Sequence, residues 1–247
     1  MYTPKFDNTF RSWLEVSKQY LAAGVRPQEI NWDTDIPTLL ELEIPKERSE
    51  FKPLFFSSEF FLRFEKDAKY VSMIRDSSKW TLLYRILYRL YFENKNLLKK
   101  VSDPDIVWLY RQRKSLGRDI HKMHAFVRFR EMQDAEGESM YVSWFEPEHI
   151  ILKHTADFFV RRFGDKKWII ATPDVTAYWD LKKIHFSDGV AKDPFETNDA
   201  WDDIWKTYYS SIYNKSRKNS KAMMNEMPKK FWKNLPEADL ISELLKS

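Results

Sequence analysis

The sequence predicts an α+β fold in which helices at both ends of the chain pack with an antiparallel sheet. Apolar side chains recur at helical spacing through the first hundred residues of the 247, and the period changes to two near residue 125. Helical spacing returns near the C-terminus. Glycine is scarce, with five residues, which disfavours barrels and sandwiches because those folds need many tight turns. We therefore expect one compact unit over residues 1–247.

The N-terminal elements are predicted to be helices that form a layer over residues 1–102. Gly24 is a plausible end for the first helix, and Asp103 and Pro104 are suited to be the N-cap and first residue of the last. Residues 31–50 are acidic, contain prolines and are predicted to be a connector. The helices are predicted over residues 10–24, 57–76, 77–101 and 105–123.

The remaining elements, over residues 103–247, are predicted to run strand–strand–helix–strand–strand and then helices. Strict alternation of apolar and polar side chains predicts the first strand, and a turn-rich loop predicts that it forms a hairpin with the second. The strands are predicted over residues 125–132, 140–146, 168–174 and 177–186. The helices are predicted over residues 147–163, 199–214 and 237–246.

The composition excludes several classes of site. The chain contains no cysteine, which excludes disulfides, thiolate nucleophiles and thiolate-bound metal clusters. No Walker loop, G-x-G-x-x-G fingerprint or G-x-S-x-G elbow is present. We expect no cofactor and no metal. The N-terminus lacks the apolar core of a signal peptide and no apolar run is long enough to span a bilayer, so we expect a cytoplasmic protein without a membrane partner.

One short motif, RDIHKMHAFVRFRE, concentrates groups that titrate or bind anions. His121 and His124 are three residues apart, which places them on one helical face. A second motif, WFEPEH, supplies Glu146, Glu148 and His149. Histidine and carboxylate side chains together suit acid–base catalysis, so these five residues are the candidate catalytic group. The alternative is a structural polar network that braces a junction between helix and strand.

Basic residues in two stretches of the sequence, 111–130 and 206–233, predict a nucleic-acid surface. Residues 206–233 contain eight basic residues and one acid, a local charge of +7 against +4 for the whole chain. Arginine and lysine side chains bind phosphates without reading the base sequence. The alternative is a solvated loop that favours solubility. The candidate residues for binding nucleic acid are Arg118, Lys122, Arg128, Arg130, Arg161, Arg162, Trp179, Arg217, Lys218, Lys221, Lys229 and Lys230.

Aromatic and arginine side chains also alternate in YRILYRLYF, residues 84–92. Such a pattern could stack bases and hold phosphates. The alternative interpretation is a helix that packs in the core and whose arginine side chains extend to the edge of the core, where they meet solvent. An aromatic stripe at helical period usually faces a core.

These motifs resemble those of a bacterial family of "probable DNA metabolism proteins", whose signature domain has no assigned function. The matching stretches are LLYRILYRL, RDIHKMHAFVRFRE, WFEPEHIIL, FFVRRF, WIIATPD, AYWD and MPKKFWKNLPEADLI. The family's polar hallmarks include the candidate residues at 118–179 together with Asp119 and Asp180. Two places depart from the family pattern: Leu181 stands where glycine is common, and YNKSR replaces an FNPAR-like run.

The resemblance implies a role in DNA metabolism. Members of that family accompany a radical SAM protein of DNA modification or repair, and some are fused ahead of a uracil-DNA glycosylase-like domain. We therefore expect a DNA-binding accessory protein with one of these as its partner. Two alternatives remain open: an enzyme acting on a nucleic-acid base or backbone through the His/Glu group, and a protein-interaction subunit that does not contact DNA.

Overall fold

The structure, a computed structural model, describes residues 1–32, 53–133 and 139–190. Five helices and a five-stranded sheet lie in these ranges, which confirms the α+β class. The connector at 31–50, apart from its first two residues, and the predicted helices at 199–214 and 237–246 lie outside them. The helices are α1 (Phe10–Ala22), α2 (Glu59–Val71), α3 (Lys79–Phe92), α4 (Pro104–Phe126) and α5 (Leu152–Phe163). The strands are β1 (Arg130–Gln133), β2 (Ser139–Trp144), β3 (Trp168–Ala171), β4 (Val175–Trp179) and β5 (Ile184–Asp188).

The chain divides into two compact units, Met1–Gly117 and Arg118–Ser247, and α4 runs through the boundary. The expectation of one compact unit stays a prediction. In the described ranges, no helix combines the length and the apolar composition needed to cross a bilayer.

An aromatic cluster forms the core of the first unit. Trp13 and Trp80 are almost fully buried and stack with ring centroids 5.5 Å apart, and Trp32 lies 5.9 Å from Trp13. The Tyr84 side chain is buried in the same core, and its hydroxyl donates a hydrogen bond of 2.8 Å to the carbonyl of Val25. Burial raises the pKa of Tyr84 well above its ordinary value. The aromatic stripe at 84–92 therefore begins in the core, as the alternative interpretation predicted.

The arginines of that stripe are neutralised by the start of α4. Arg89 donates to Asp103 at 2.6 Å and to Asp105 at 2.7 Å, and Arg85 forms a two-pronged ion pair with Asp105. Asp103 also accepts the Asp105 amide at 3.1 Å, which confirms it as the cap of α4. Arg89 holds the pKa of the Asp103 carboxyl below its usual range. This network joins α3 to α4 and leaves neither arginine free to hold a phosphate.

Asp105→Ala should lower the free energy of unfolding by about 2 kcal/mol, because the Asp105 side chain is only 7% exposed and its removal leaves two guanidinium groups short of a partner. Glu93→Ala is the matched control: Glu93 also pairs with Arg89, at 3.4 Å, but is 55% exposed. We expect about 0.5 kcal/mol or less from Glu93→Ala. Urea unfolding of both variants checks this, and equal decreases would contradict it.

The sheet of the second unit follows chain order, β1-β2-β3-β4-β5. Neighbouring strands are antiparallel except for β2 and β3, which run parallel. The sheet is therefore mixed and mostly antiparallel, and this pair is the one departure from the antiparallel sheet that the sequence predicts. The physical reason is the connection: α5 carries the chain back over the sheet between these strands, so that β3 starts from the same end as β2.

Two predicted boundaries also change. The alternation from residue 125 does not begin a strand, because α4 continues to Phe126 and β1 starts only at Arg130. The predicted strand at 177–186 is a hairpin, with β4 ending at Trp179 and β5 beginning at Ile184. Its turn is closed by Asp180, whose carboxylate accepts the amides of Lys182 and Lys183, each at 2.8 Å. A single polar side chain thus divides the predicted strand.

Leu181, inside this turn, adopts a left-handed backbone conformation with φ of 74°. The side chain is exposed. Glycine reaches this region without steric cost, whereas leucine is strained in it. The hydrogen bonds of Asp180 hold the turn in this conformation although residue 181 is a leucine.

Leu181→Gly should raise the free energy of unfolding by up to about 1 kcal/mol, since relief of the left-handed strain exceeds the added flexibility of the unfolded chain. Leu181→Ala is the control, because it removes the same exposed side chain but keeps the Cβ atom that causes the strain. Thermal unfolding of the two variants tests this. Identical melting temperatures would show that the strain is negligible.

Candidate nucleic-acid interface

A buried carboxylate brings the two polar motifs together. Asp119, on α4, is 1% exposed and accepts the backbone amide of Glu148 at 3.1 Å and that of His149 at 2.9 Å. Burial raises the pKa of Asp119, an effect that these two hydrogen bonds oppose. The motif on α4 therefore holds the WFEPEH loop through its backbone, just before α5 begins.

Thr155 makes a second connection between α4 and α5. Its buried hydroxyl lies 3.2 Å from the sulfur of Met123 and 3.2 Å from the carbonyl of Ile151. These contacts fix how the last turns of α4 meet the first turns of α5. They therefore also set which side chains of α4 and α5 face each other at this junction.

His124 lies at this junction and packs against aromatic rings. Its imidazole stacks on Phe158 with centroids 3.9 Å apart, and Phe159 meets it edge-on at 5.9 Å. The Nε2 atom is buried and has no hydrogen-bond partner among the described residues. Burial, followed by nearby positive groups, lowers the pKa of His124 below its ordinary 6.5. Near pH 7 this imidazole is uncharged.

Imidazole and guanidinium groups around His124 define a surface that we call the His124 surface. His121 lies three residues earlier on α4, and His154 and Arg161 lie on α5; all three are exposed, and each of them lowers the pKa of His124. His154, Phe158 and Arg161 follow the spacing i, i+4 and i+7 along α5, which places them on one side of that helix. The His124 surface comprises His121, His124, His154, Phe158 and Arg161.

Three arginines at and near this surface make no salt bridge with a residue that the structure describes. Arg118, Arg161 and Arg162 are exposed, and none makes a salt bridge with a residue in the described part of the chain. Arg85, Arg89 and Arg113 of the first unit are different, because each pairs with a buried aspartate; Arg113 lies 3.1 Å from Asp67. Exposed arginines without a carboxylate partner are available to an anionic ligand.

The predicted carboxylates do not influence His124. Glu146 lies 3.4 Å from the indole Nε1 of Trp144, and Glu148 is exposed with its amide bound to Asp119. Neither is among the groups that shift the pKa of His124. In the described ranges no group of three or more histidine, aspartate and glutamate side chains is placed to hold a metal ion. The catalytic role of this group stays a prediction.

Two other candidate residues, Arg128 and Trp179, make contacts within the fold. Arg128 donates to the Ala125 carbonyl at 2.6 Å and so caps the end of α4. The indole of Trp179 donates to the Gly164 carbonyl at 3.1 Å, which ties β4 to the end of α5. Lys122 and Arg130 are half-buried, on α4 and β1. The remaining basic candidates lie outside the described residues: Arg217, Lys218, Lys221, Lys229 and Lys230.

Two members of the His124 surface, His154 and Phe158, were not predicted from the sequence. Their signal was the spacing of His154, Phe158 and Arg161, which becomes informative only when the helix that faces them is known. In the sequence, Asp119 stands out only as part of the RDIHKMHAFVRFRE motif. Its role depends on a backbone contact about thirty residues away along the chain.

The lowered pKa of His124 predicts that the free energy of unfolding decreases as the pH falls from about 7 to about 5. In this range the imidazole binds a proton in the unfolded chain but remains unprotonated in the folded protein. His124→Phe keeps the ring stacking and should reduce this decrease, as measured by urea unfolding at several pH values. Phe158→Ala is the control: it uncovers the imidazole, and NMR titration should show its pKa rising toward the ordinary value. An unchanged pH dependence in His124→Phe would contradict the assignment.

Comparison with known proteins assigns a family but no activity. No curated protein matches the chain, and no solved structure matches it. One family model does match, that of the domain of unknown function DUF4130, over residues 77–237. The match covers more than half of the 247 residues and includes both polar motifs, α5 and the whole sheet. The chain belongs to the DUF4130 family.

Proposed function

We propose that this protein binds DNA as an accessory in DNA repair or modification. The observation that supports this most is the set of exposed arginines at and near the His124 surface, which have no carboxylate partner in the described part of the chain. Three arginines of the first unit, Arg85, Arg89 and Arg113, are instead neutralised by aspartates that are largely buried. Positive side chains that the fold itself does not use suit a polyanion.

The chemistry of the surface favours contact with phosphates. An arginine guanidinium can bind a phosphate through two hydrogen bonds, and each such contact releases counterions from DNA. His124 is stacked against Phe158, so its ring contributes packing more than charge near pH 7. Binding of this kind is sensitive to salt and does not discriminate sequence.

The partner proposed from the family resemblance is a radical SAM protein or a uracil-DNA glycosylase-like protein. A chain without cysteine cannot supply the thiolates of an iron–sulfur cluster, so radical chemistry would have to come from another protein. Co-purification with either partner, with and without DNA, separates the DNA-binding accessory from a pure interaction subunit. A subunit of the latter kind would associate equally well in both conditions.

The enzyme alternative has less support. A general base must reach the proton that it abstracts, and the Nε2 atom of His124 is buried. Neither Glu146 nor Glu148 acts on its pKa. Abolished turnover of a nucleic-acid substrate in His124→Ala, with folding retained, would favour the enzyme over the accessory.

Arg118→Glu combined with Arg161→Glu should weaken binding to duplex DNA at low salt by roughly tenfold or more, and equally for unrelated sequences, because phosphate contacts carry no sequence information. The slope of log affinity against log salt should fall by about one for each phosphate that the variant no longer binds. Fluorescence anisotropy at several salt concentrations provides the measurement.

Arg11→Glu is the matched control for each substitution, because Arg11 is an exposed arginine on α1 in the other unit and the charge change is the same. It should leave the affinity within about twofold of the unmodified protein. If the control and the double variant weaken binding by similar amounts per charge, the effect comes from net charge, and the His124 surface is not the interface.

A further inference from the structure

One side of α4 carries a row of basic side chains. Arg111, Lys114, Arg118 and His121 follow the spacing i, i+3, i+7 and i+10, which places them on one side of the helix. All four are exposed. We call these four residues the α4 stripe. Because they belong to one continuous helix, the regular rise of that helix fixes the distances between their backbone positions.

The apolar residues of α4 occupy the opposite side. Ile106, Leu109, Leu116 and Met123 are fully buried. The helix is therefore divided along its length into a buried apolar side and an exposed basic side. A surface that only has to meet water usually mixes charges of both signs. A row of one sign is better suited to a ligand of the opposite sign.

The acidic residues of α4 do not neutralise this row. The helix contains two of them, Asp105 and Asp119, which are 5% and 1% exposed. Asp105 binds the arginines of α3, and Asp119 accepts two backbone amides. Arg111 and Lys114, like Arg118, make no salt bridge with a residue that the structure describes. Three cations of the α4 stripe are therefore available to an anion.

Gly117 gives a second indication of a ligand at this side of α4. It is exposed in the middle of the helix, where glycine is less stable than alanine. A Cβ atom at this position would meet the Tyr70 hydroxyl at 3.9 Å, an ordinary contact, so packing does not require glycine. Gly117 lies three residues after Lys114 and four before His121. A glycine beside the stripe lets a ligand approach the helix backbone closely.

We propose that α4 binds duplex DNA by laying the α4 stripe across the major groove, an inference that rests on the proposed function. Arg111 and Arg118, near its two ends, then bind phosphates of opposite strands, and Lys114 lies between them. The stripe is long enough: ten residues from Arg111 to His121 span about 15 Å, and the major groove is about 12 Å wide.

The geometry favours a duplex over a single strand. A duplex holds two rows of phosphates at a fixed separation, which a stripe on a rigid helix can match. A single strand carries half the charge per length of a duplex, and its phosphates have no fixed second row. The interface of the proposed function thus extends along α4 to Arg111 and Lys114, beyond the His124 surface.

The test is charge reversal at the far end of the stripe, in the intact chain. Arg111→Glu combined with Lys114→Glu should weaken binding to a short duplex by about tenfold or more and lower the slope of log affinity against log salt by about two. The unmodified protein should bind the duplex at least about fivefold more tightly than its single strand, and the variant should lose this preference. Fluorescence anisotropy measures both affinities, and thermal unfolding checks that the variant is folded.

Arg111→Glu alone is matched by Arg11→Glu, since both replace an exposed helical arginine and change the charge equally. The Arg11 variant should stay within about twofold of the unmodified protein. Equal losses from these two single variants overturn the inference, and so do equal losses of duplex and single-strand binding in the double variant. Stripe-dependent binding of poly-L-glutamate in preference to DNA assigns the stripe to an acidic protein and overturns it as well.

Failure of this inference is distinguishable from failure of the proposed function. If the unmodified protein binds duplex DNA and only Arg118→Glu with Arg161→Glu weakens it, the proposed function stands and the α4 stripe is not the interface. If the unmodified protein binds no DNA at low salt, both are overturned.

Discussion

The acceptance of two backbone amides by the buried Asp119 carboxylate is the constraint on which the second unit depends. It ties α4 to the loop that precedes α5, from a position with 1% exposure. Burial of a carboxylate costs free energy unless hydrogen bonds compensate, so the loop has to present those amides. The path of α5, and hence the arrangement of α4 and α5 around His124, follows from this contact.

Two pairs of arginines have opposite roles in this protein. In the first unit Arg85 and Arg89 serve the fold, since Asp103 and Asp105 neutralise them where α3 meets α4. In the second unit Arg118 and Arg161 make no ion pair with a residue that the structure describes. A charge that the fold does not use costs little when exposed and remains available for a ligand. The exposure of Arg118 and Arg161 without such a partner is the physical basis of the proposed interface.

Errors in the sequence-based fold arose where long-range contacts override local pattern. The alternation from residue 125 is real, but the last turns of α4 pack through Met123 and His124, which extends the helix to Phe126. The parallel pair of β2 and β3 could not be read from periodicity, because the spacing of apolar residues is the same in either direction. The hairpin at Asp180 depends on one side chain bonding two amides.

By itself the sequence determined the fold class, the helical N-terminal half, the cap at Asp103 and the exclusion of thiolate chemistry, because periodicity, capping and composition are local properties. Only the tertiary structure decided which arginines are neutralised, and that His124 stacks on Phe158 of another helix. Charge pairing and ring stacking join residues far apart in the chain. Their partners are set by how the helices and strands pack.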